Sequence, residues 1–168
     1  AVQYEEAGDY KNSLAHYRIS RDIAPQFAHH HYNVGNLLMK LDSLDEAKKE
    51  FYGALKLDPA HGDAHFNLGI LAEAEGDIAG AQARFTRVLQ IDPLSVKGRV
   101  KLGDLYLRMG HREQAEQLFR EALQLDPLSH QANLRMADYL RKSGKKQEAA
   151  FYYNQVLSLK PNHDRRAE

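Results

Sequence analysis

The chain has 168 residues, 23 Lys and Arg against 23 Asp and Glu, and no cysteine. Its formal net charge of zero argues against a duplex nucleic-acid binder, which needs excess positive charge to displace counterions, and the lack of cysteine removes disulfides and thiolate metal sites. No apolar run approaches the roughly 20 residues of a membrane span, so direct membrane insertion is not expected.

Five prolines set the register: Pro25, Pro59, Pro93, Pro127 and Pro161, each 34 residues from the next. That spacing makes the chain one small unit repeated, and units of this size build binding surfaces more often than active sites. Each unit packs only on its neighbours, so no central core is expected. A partial unit covers 1–27, complete units run 28–61, 62–95, 96–129 and 130–163, and 164–168 is a tail or the start of a further helix. The first residue is Ala1, and both ends read as cuts within a longer array.

In chain order, the partial unit supplies one helix near 11–24, preceded by Gly8. The complete units each supply two: 28–41 and 45–58, 62–75 and 79–92, 96–109 and 113–126, 130–143 and 147–160. Apolar residues such as Leu102, Leu105, Tyr106 and Met109 recur three and four apart, which forms one stripe on a helix. Gly76, Gly110 and Gly144 follow the first helices, where glycine ends a helix in the left-handed conformation at no steric cost. Asp42 fills that slot once. Asp58, Asp92 and Asp126 each precede a proline, which cannot donate to the previous turn and disfavours α geometry before it. The acidic pairs Glu5-Glu6 and Asp45-Glu46 stand near helix termini, where negative charge suits the dipole.

Further slots repeat with the prolines. Small residues recur at Ser13, Ala47, Ala81, Ala115 and Ala149, and aromatics at Tyr17, Phe51, Phe85, Phe119 and Tyr153. Gly35, Gly69 and Gly103 fall inside helices, at a cost of roughly 1 kcal/mol each against Ala. Repeating that cost predicts a close backbone approach, with Ala47, Ala81 and Ala115 opposite and the aromatics filling the groove between consecutive units.

This set of slots resembles the tetratricopeptide repeat, with its Leu-Gly pair, Tyr, Ala, Phe and terminal Pro, over residues 1–163. The slot that often holds Trp carries His31, His65, Arg99 and Asn133 here, and the Tyr slot holds Tyr4, Leu38, Ala72, Tyr106 and Leu140. The pentatricopeptide RNA-reading repeat is also a helical hairpin, but its period is one residue longer. The resemblance implies an all-α fold, a right-handed α-α superhelix or solenoid, with first helices on the concave face. It implies a non-enzymatic scaffold that grips an extended or helical peptide of another protein in that groove.

The resemblance also assigns groove positions. Tyr32, Asn33 and Asn36 fall there from the first complete unit, Phe66 and Asn67 from the second, Lys97, Lys101 and Arg108 from the third, and Arg135 and Arg141 from the fourth. The row Tyr32-Phe66-Val100-Leu134 is wholly apolar and is expected to be exposed to a partner. Lys97, Lys101, Arg108, Arg135, Arg141 and Lys142 face only Asp104 and Asp138 in the last two units, a field that favours an acidic ligand. Chaperone-linked members of the family hold a C-terminal carboxylate with Lys, Asn and Arg. Asn36, Asn67 and Lys97 match that set, Lys101 replaces the Arg, and Tyr32 replaces the first Lys. Asn33 and Asn67 are similar to the asparagine ladder of the O-linked N-acetylglucosamine transferase array, which ends here at Lys101 and Arg135.

Other constellations carry less. His29, His30 and His31 point about 100° apart on a helix, so they do not converge on one ion. His31 and His65 occupy equivalent slots without a third ligand, so no metal or cofactor is expected. No P-loop, Gly-x-Gly-x-x-Gly, Gly-x-Ser-x-Gly or His-Glu-x-x-His motif occurs. In Phe151-Tyr152-Tyr153, two rings are expected in the core with Tyr152 exposed. Two further expectations are self-assembly end to end through the exposed repeat ends, and service as the recruiting arm of a larger enzyme. The compartment stays open between the cytoplasm and a bacterial envelope compartment.

Overall fold

A computed structural model describes residues 9–158, which form nine helices and no strand. Expectations for Gly8, Glu5-Glu6, Pro161 and the tail lie outside the described residues. The helices are α1 (Tyr10–Ile23), α2 (Ala28–Lys40), α3 (Leu44–Leu57), α4 (Gly62–Glu75), α5 (Ile78–Ile91), α6 (Val96–Arg108), α7 (Arg112–Leu125), α8 (His130–Lys142) and α9 (Lys146–Ser158). The chain divides into two compact units, residues 1–91 and 92–168. In the first, α2 pairs with α3 and α4 with α5, while α1 packs on α2 and α3 on α4. In the second, α6 pairs with α7 and α8 with α9, and α8 also packs on α6 and α7. No helix among the described residues is long and apolar enough to cross a membrane.

The helix ends follow local chemistry. Asp42 has φ 60°, and Gly76, Gly110 and Gly144 have φ 80°, 83° and 81°. The next residue in each case returns its N–H to a carbonyl in the last turn: Ser43 to Leu38 at 2.8 Å, Asp77 to Ala72 at 2.8 Å, His111 to Tyr106 at 2.8 Å and Lys145 to Leu140 at 2.9 Å. Such bonds satisfy carbonyls that a helix end leaves without partners. The second helices begin one residue earlier than expected, and α1, α3, α5 and α7 also end one residue earlier. The proline pushes the preceding residue out of α geometry, so Asp58 and Asp126 are extended, at φ −133° and −139°.

These aspartates have a second task that the proline pattern does not reveal. Asp58, Asp92 and Asp126 each accept, through Oδ1, the backbone N–H two residues on, at 3.0, 3.0 and 3.1 Å. The carboxylate thereby builds the turn around the proline. The next helix is capped in three hairpins: His61 Nδ1 accepts from Ala64 N–H, Ser95 Oγ from Gly98 N–H and Ser129 Oγ from Ala132 N–H, each at 3.3 Å. A cap of this kind stabilises a helix by about 1 kcal/mol.

The core is repeated rather than central. Phe51, Phe85 and Phe119 are fully buried, as are Ala47, Ala81 and Ala115. The nearest contacts of the helical glycines Gly35, Gly69 and Gly103 are made by the rings. A methyl group added at Gly35, Gly69 or Gly103 would lie 2.7, 2.6 or 2.5 Å from a ring carbon of Phe51, Phe85 or Phe119. Each ring therefore lies on the glycine of the paired helix in its own hairpin, and Phe51 shares one buried cluster with Leu68 and Leu71 of the next unit. The fourth complete unit carries Ala137 in the glycine slot, and its ring, Tyr153, is only half-buried. The reading of the C-terminal aromatics is corrected: Phe151 is the exposed ring, while Tyr152 and Tyr153 pack on the core. One turn of helix separates Ala149 from Tyr152 and Tyr153, which places them on its buried side and Phe151 off it.

Candidate functional site

In the first unit, α2 and α4 present the expected polar groove residues. Asn67 Nδ2 donates to Asn36 Oδ1 at 2.6 Å. That bond leaves both N–H groups of Asn36, the second N–H of Asn67 and the Asn67 amide oxygen to meet other groups. Tyr32 lies 4.8 Å, centroid to centroid, from His61 and 6.0 Å from Phe51. Phe66 lies 5.7 Å from Phe85. Tyr32, Asn33, Asn36, Phe66 and Asn67 are all half-buried.

The apolar row is therefore less available than expected. Val100 is buried in the second unit, and Leu134 is half-buried. The physical reason is the helix period: the fifth position of each unit falls beside the stripe that faces the paired helix, so its side chain packs there first. Only the edges of Tyr32, Phe66 and Leu134 are left for a partner.

In the second unit, Lys97, Lys101, Asp104 and Arg108 recur along one side of α6, and Arg135, Asp138 and Lys142 along one side of α8. Arg135 Nε donates to Asp104 Oδ2 at 2.9 Å. This pair uses the same two slots as Asn36 and Asn67, with a carboxylate and a guanidinium in place of two amides. The Arg135 side chain is still 41% exposed in that pair, so an incoming anion can reach it. Tyr153 donates to Asp138 Oδ1 at 2.6 Å and accepts from Arg141 Nε at 3.2 Å. The bond to Asp138 holds the Tyr153 hydroxyl above its ordinary pKa. Lys97 and Arg108 are exposed and Lys101 is half-buried.

The rings of His29 and His30 lie 4.2 Å apart, centroid to centroid, while His31 turns to a different partner. His31 Nδ1 meets Glu50 Oε2 at 2.8 Å, and Arg21 also bridges Glu50. His30 Nδ1 meets the Ala24 carbonyl at 3.0 Å. Among the described residues no group of three or more His, Asp or Glu is placed to hold a metal ion.

His65 has a structural task that the sequence pattern missed. Its Nε2 lies 3.1 Å from the Pro59 carbonyl, and Asn133, in the same slot two repeats on, donates Nδ2 to the Pro127 carbonyl at 2.9 Å. In these two hairpins the slot thus ties the first helix to the proline turn before it. Burial holds His65 below the ordinary histidine pKa, outweighing the bond to Pro59, which raises it. The fold therefore favours the neutral ring, and this contribution is complete above the unfolded value near 6.5 and is lost as pH falls below it. His65→Asn, which copies Asn133, is expected to flatten that dependence. Thermal melts between about pH 5 and 7.5 check it: the wild type should lose more melting temperature on acidification than the variant, and parallel profiles would remove His65 as the cause.

Comparison with known proteins adds three matches. Models described as tetratricopeptide repeat match residues 32–96, 72–135 and 130–163. Among solved structures, PilF of Pseudomonas aeruginosa superposes with a TM-score of 0.84 at 23% identity, over 95% of this chain and 73% of that one. MamA superposes with a TM-score of 0.76 at 18% identity, over 94% and 92%. YrrB, a tetratricopeptide protein with an unusual peptide-binding site, gives 0.68 at 19%, over 96% and 83%. These likenesses share the all-α hairpin fold. A protein O-mannosyl-transferase of Caenorhabditis elegans is 33% identical over 58 residues, which are 34% of this chain and 8% of the transferase.

Proposed function

The chain belongs to the tetratricopeptide repeat family of protein-interaction scaffolds, and from that premise we propose that its second unit captures an acidic segment of a partner protein on the face formed by α6 and α8. The observation that carries this reading is the charge of that face. Its groove slots hold six cations, Lys97, Lys101, Arg108, Arg135, Arg141 and Lys142, and two carboxylates, Asp104 and Asp138. Asp104 accepts from Arg135 and Asp138 from Tyr153, and six cations against two carboxylates give the face a net positive charge. Two helices packed together make a low-dielectric wall that strengthens such a field and raises the encounter rate with anions. Arg135 can exchange Asp104 for a ligand carboxylate without losing a charge partner, which makes capture reversible.

A fluorescent glutamate-rich peptide is the direct probe, with its glutamine counterpart as control. Each exposed ion pair contributes about 0.2–1 kcal/mol, so Lys97→Ala with Lys101→Ala is expected to weaken binding about tenfold while the helical circular dichroism stays intact. Binding should also weaken as salt rises. Equal affinity for the glutamine peptide, or unchanged affinity in the double variant, removes the acidic reading.

A second reading, that these repeats recruit substrates for a larger enzyme, is supported by the likeness to part of the mannosyl-transferase. A reading frame around this chain that encodes no catalytic domain removes it.

A further inference from the structure

The two compact units carry opposite charge. Residues 1–91 hold nine Lys and Arg against thirteen Asp and Glu, a net of −4, and residues 92–168 hold fourteen against ten, a net of +4. The imbalance gathers at one structural feature, the turn that joins the two helices of a hairpin. In the first unit, the stretches 39–46 and 73–80 carry Asp42, Asp45, Glu46, Glu73, Glu75 and Asp77 against Lys40, a net of −5. In the second unit, the matching stretches 107–114 and 141–148 carry Arg108, Arg112, Arg141, Lys142, Lys145 and Lys146 against Glu113 and Glu148, a net of +4. The reversal is slot for slot: Glu73 corresponds to Arg141, and Asp77 to Lys145. All of these charged side chains except Glu73 are exposed.

We propose that the basic turn edge of the second unit docks on the acidic turn edge of the first unit of another copy of this chain. Charge complementarity chooses the occupant. One chain presents opposite net charge, −5 and +4, on the same kind of turn, so each copy carries the surface that fits the other. The acidic edge already accepts cations from its own unit, with Lys48 on Glu75 at 2.7 Å and Arg18 on Glu46 at 2.9 Å. Its carboxylates are thus placed to bridge. Each edge also exposes one large apolar side chain, Leu44 at 39% and Met109 at 38%. A single exposed ion pair holds little, so an array of them is needed, and the association is weak and salt-dependent. Arg108, Arg141 and Lys142 belong to both surfaces, and this contact leaves Lys97, Lys101 and Arg135 of the α6–α8 face to a peptide.

The experiment is sedimentation velocity at rising protein concentration, at about 20 mM and about 500 mM salt, where the screening length shrinks several-fold. The wild type is expected to gain mass with concentration at low salt and to dissociate at high salt, with at least roughly tenfold weaker association. Arg112→Glu with Lys145→Asp and Lys146→Glu reverses the basic edge at helix starts, where negative charge suits the dipole. Glu46→Lys with Glu73→Lys and Glu75→Lys reverses the acidic edge to a net of +1, the last two in a last turn, where positive charge suits it. Each variant alone should remain monomeric with unchanged helicity, and an equimolar mixture of the two should associate. Lys97→Ala with Lys101→Ala should associate like the wild type. A monomeric wild type at low salt, persistent association in either reversed variant, or a mixture that stays monomeric overturns the proposal.

Discussion

Phe85→Ala is expected to lower the stability of the chain by about 3–5 kcal/mol. Phe85 is fully buried and its ring lies on the backbone of Gly69, which has no side chain to move into the space left behind. The hole therefore keeps nearly its full volume, and the penalty falls at the upper part of the range for removing a large side chain. The loss is comparable with a large share of the 5–15 kcal/mol that holds an ordinary domain together. In an array whose units are stabilised by their neighbours, the effect begins locally. Denaturant melts should show the lower midpoint, and hydrogen exchange should show α4 and α5 opening before α1. Phe151→Ala is the control, because Phe151 is 58% exposed; its effect should stay within about 0.5 kcal/mol. Equal effects for the two phenylalanines would contradict the assigned packing.

Gly103→Ala tests the same contact from the other side. In an ordinary helix interior the change gains roughly 1 kcal/mol. Here the new methyl would stand 2.5, 3.0 and 3.1 Å from three ring carbons of Phe119. That ring is fully buried, so it cannot swing into solvent. Overpacking of this kind costs about 1–3 kcal/mol, and three close atoms put it at the high end, for a net loss of about 2 kcal/mol after the helix gain. Phe119→Leu removes the offending edge of the ring. Gly103→Ala combined with Phe119→Leu should be more stable than the sum of the two single changes predicts, by at least about 1 kcal/mol. Simple additivity, or a stabilised Gly103→Ala, would show that the ring and the glycine are not in contact.

The corrections share one cause. The period of apolar and small residues names the stripe that a helix buries, but it does not give the rotation of one helix against its partner. The glycines therefore announced a close approach, yet that the Phe85 ring makes the nearest contact to Gly69 depended on the rotation of the two helices. The fifth-position row suffered in the same way. Val100 sits beside the buried stripe, and a small shift of phase took it from expected groove to core. Asn36 with Asn67, and Asp104 with Arg135, had been assigned to a groove one residue at a time. Their pairing across repeats needed the offset between two helices, which no single helix encodes. The pre-proline aspartates could have been read further, since a short carboxylate before a Pro turn commonly accepts the N–H two residues on.

By itself the sequence determined the repeat, its register and the sign of each surface. The proline spacing, the residues able to adopt left-handed geometry and the aromatic slots are local properties, set by backbone sterics and side-chain shape within a few residues. Charge is equally local, so the basic second unit and the acidic first unit were written in the chain from the start. Only the tertiary structure decided which side chain covers each glycine, which groove cation already holds a carboxylate, and which apolar residues are left for a partner. Those outcomes depend on distances of an ångström between helices, and such distances are settled when close-packed side chains exclude one another.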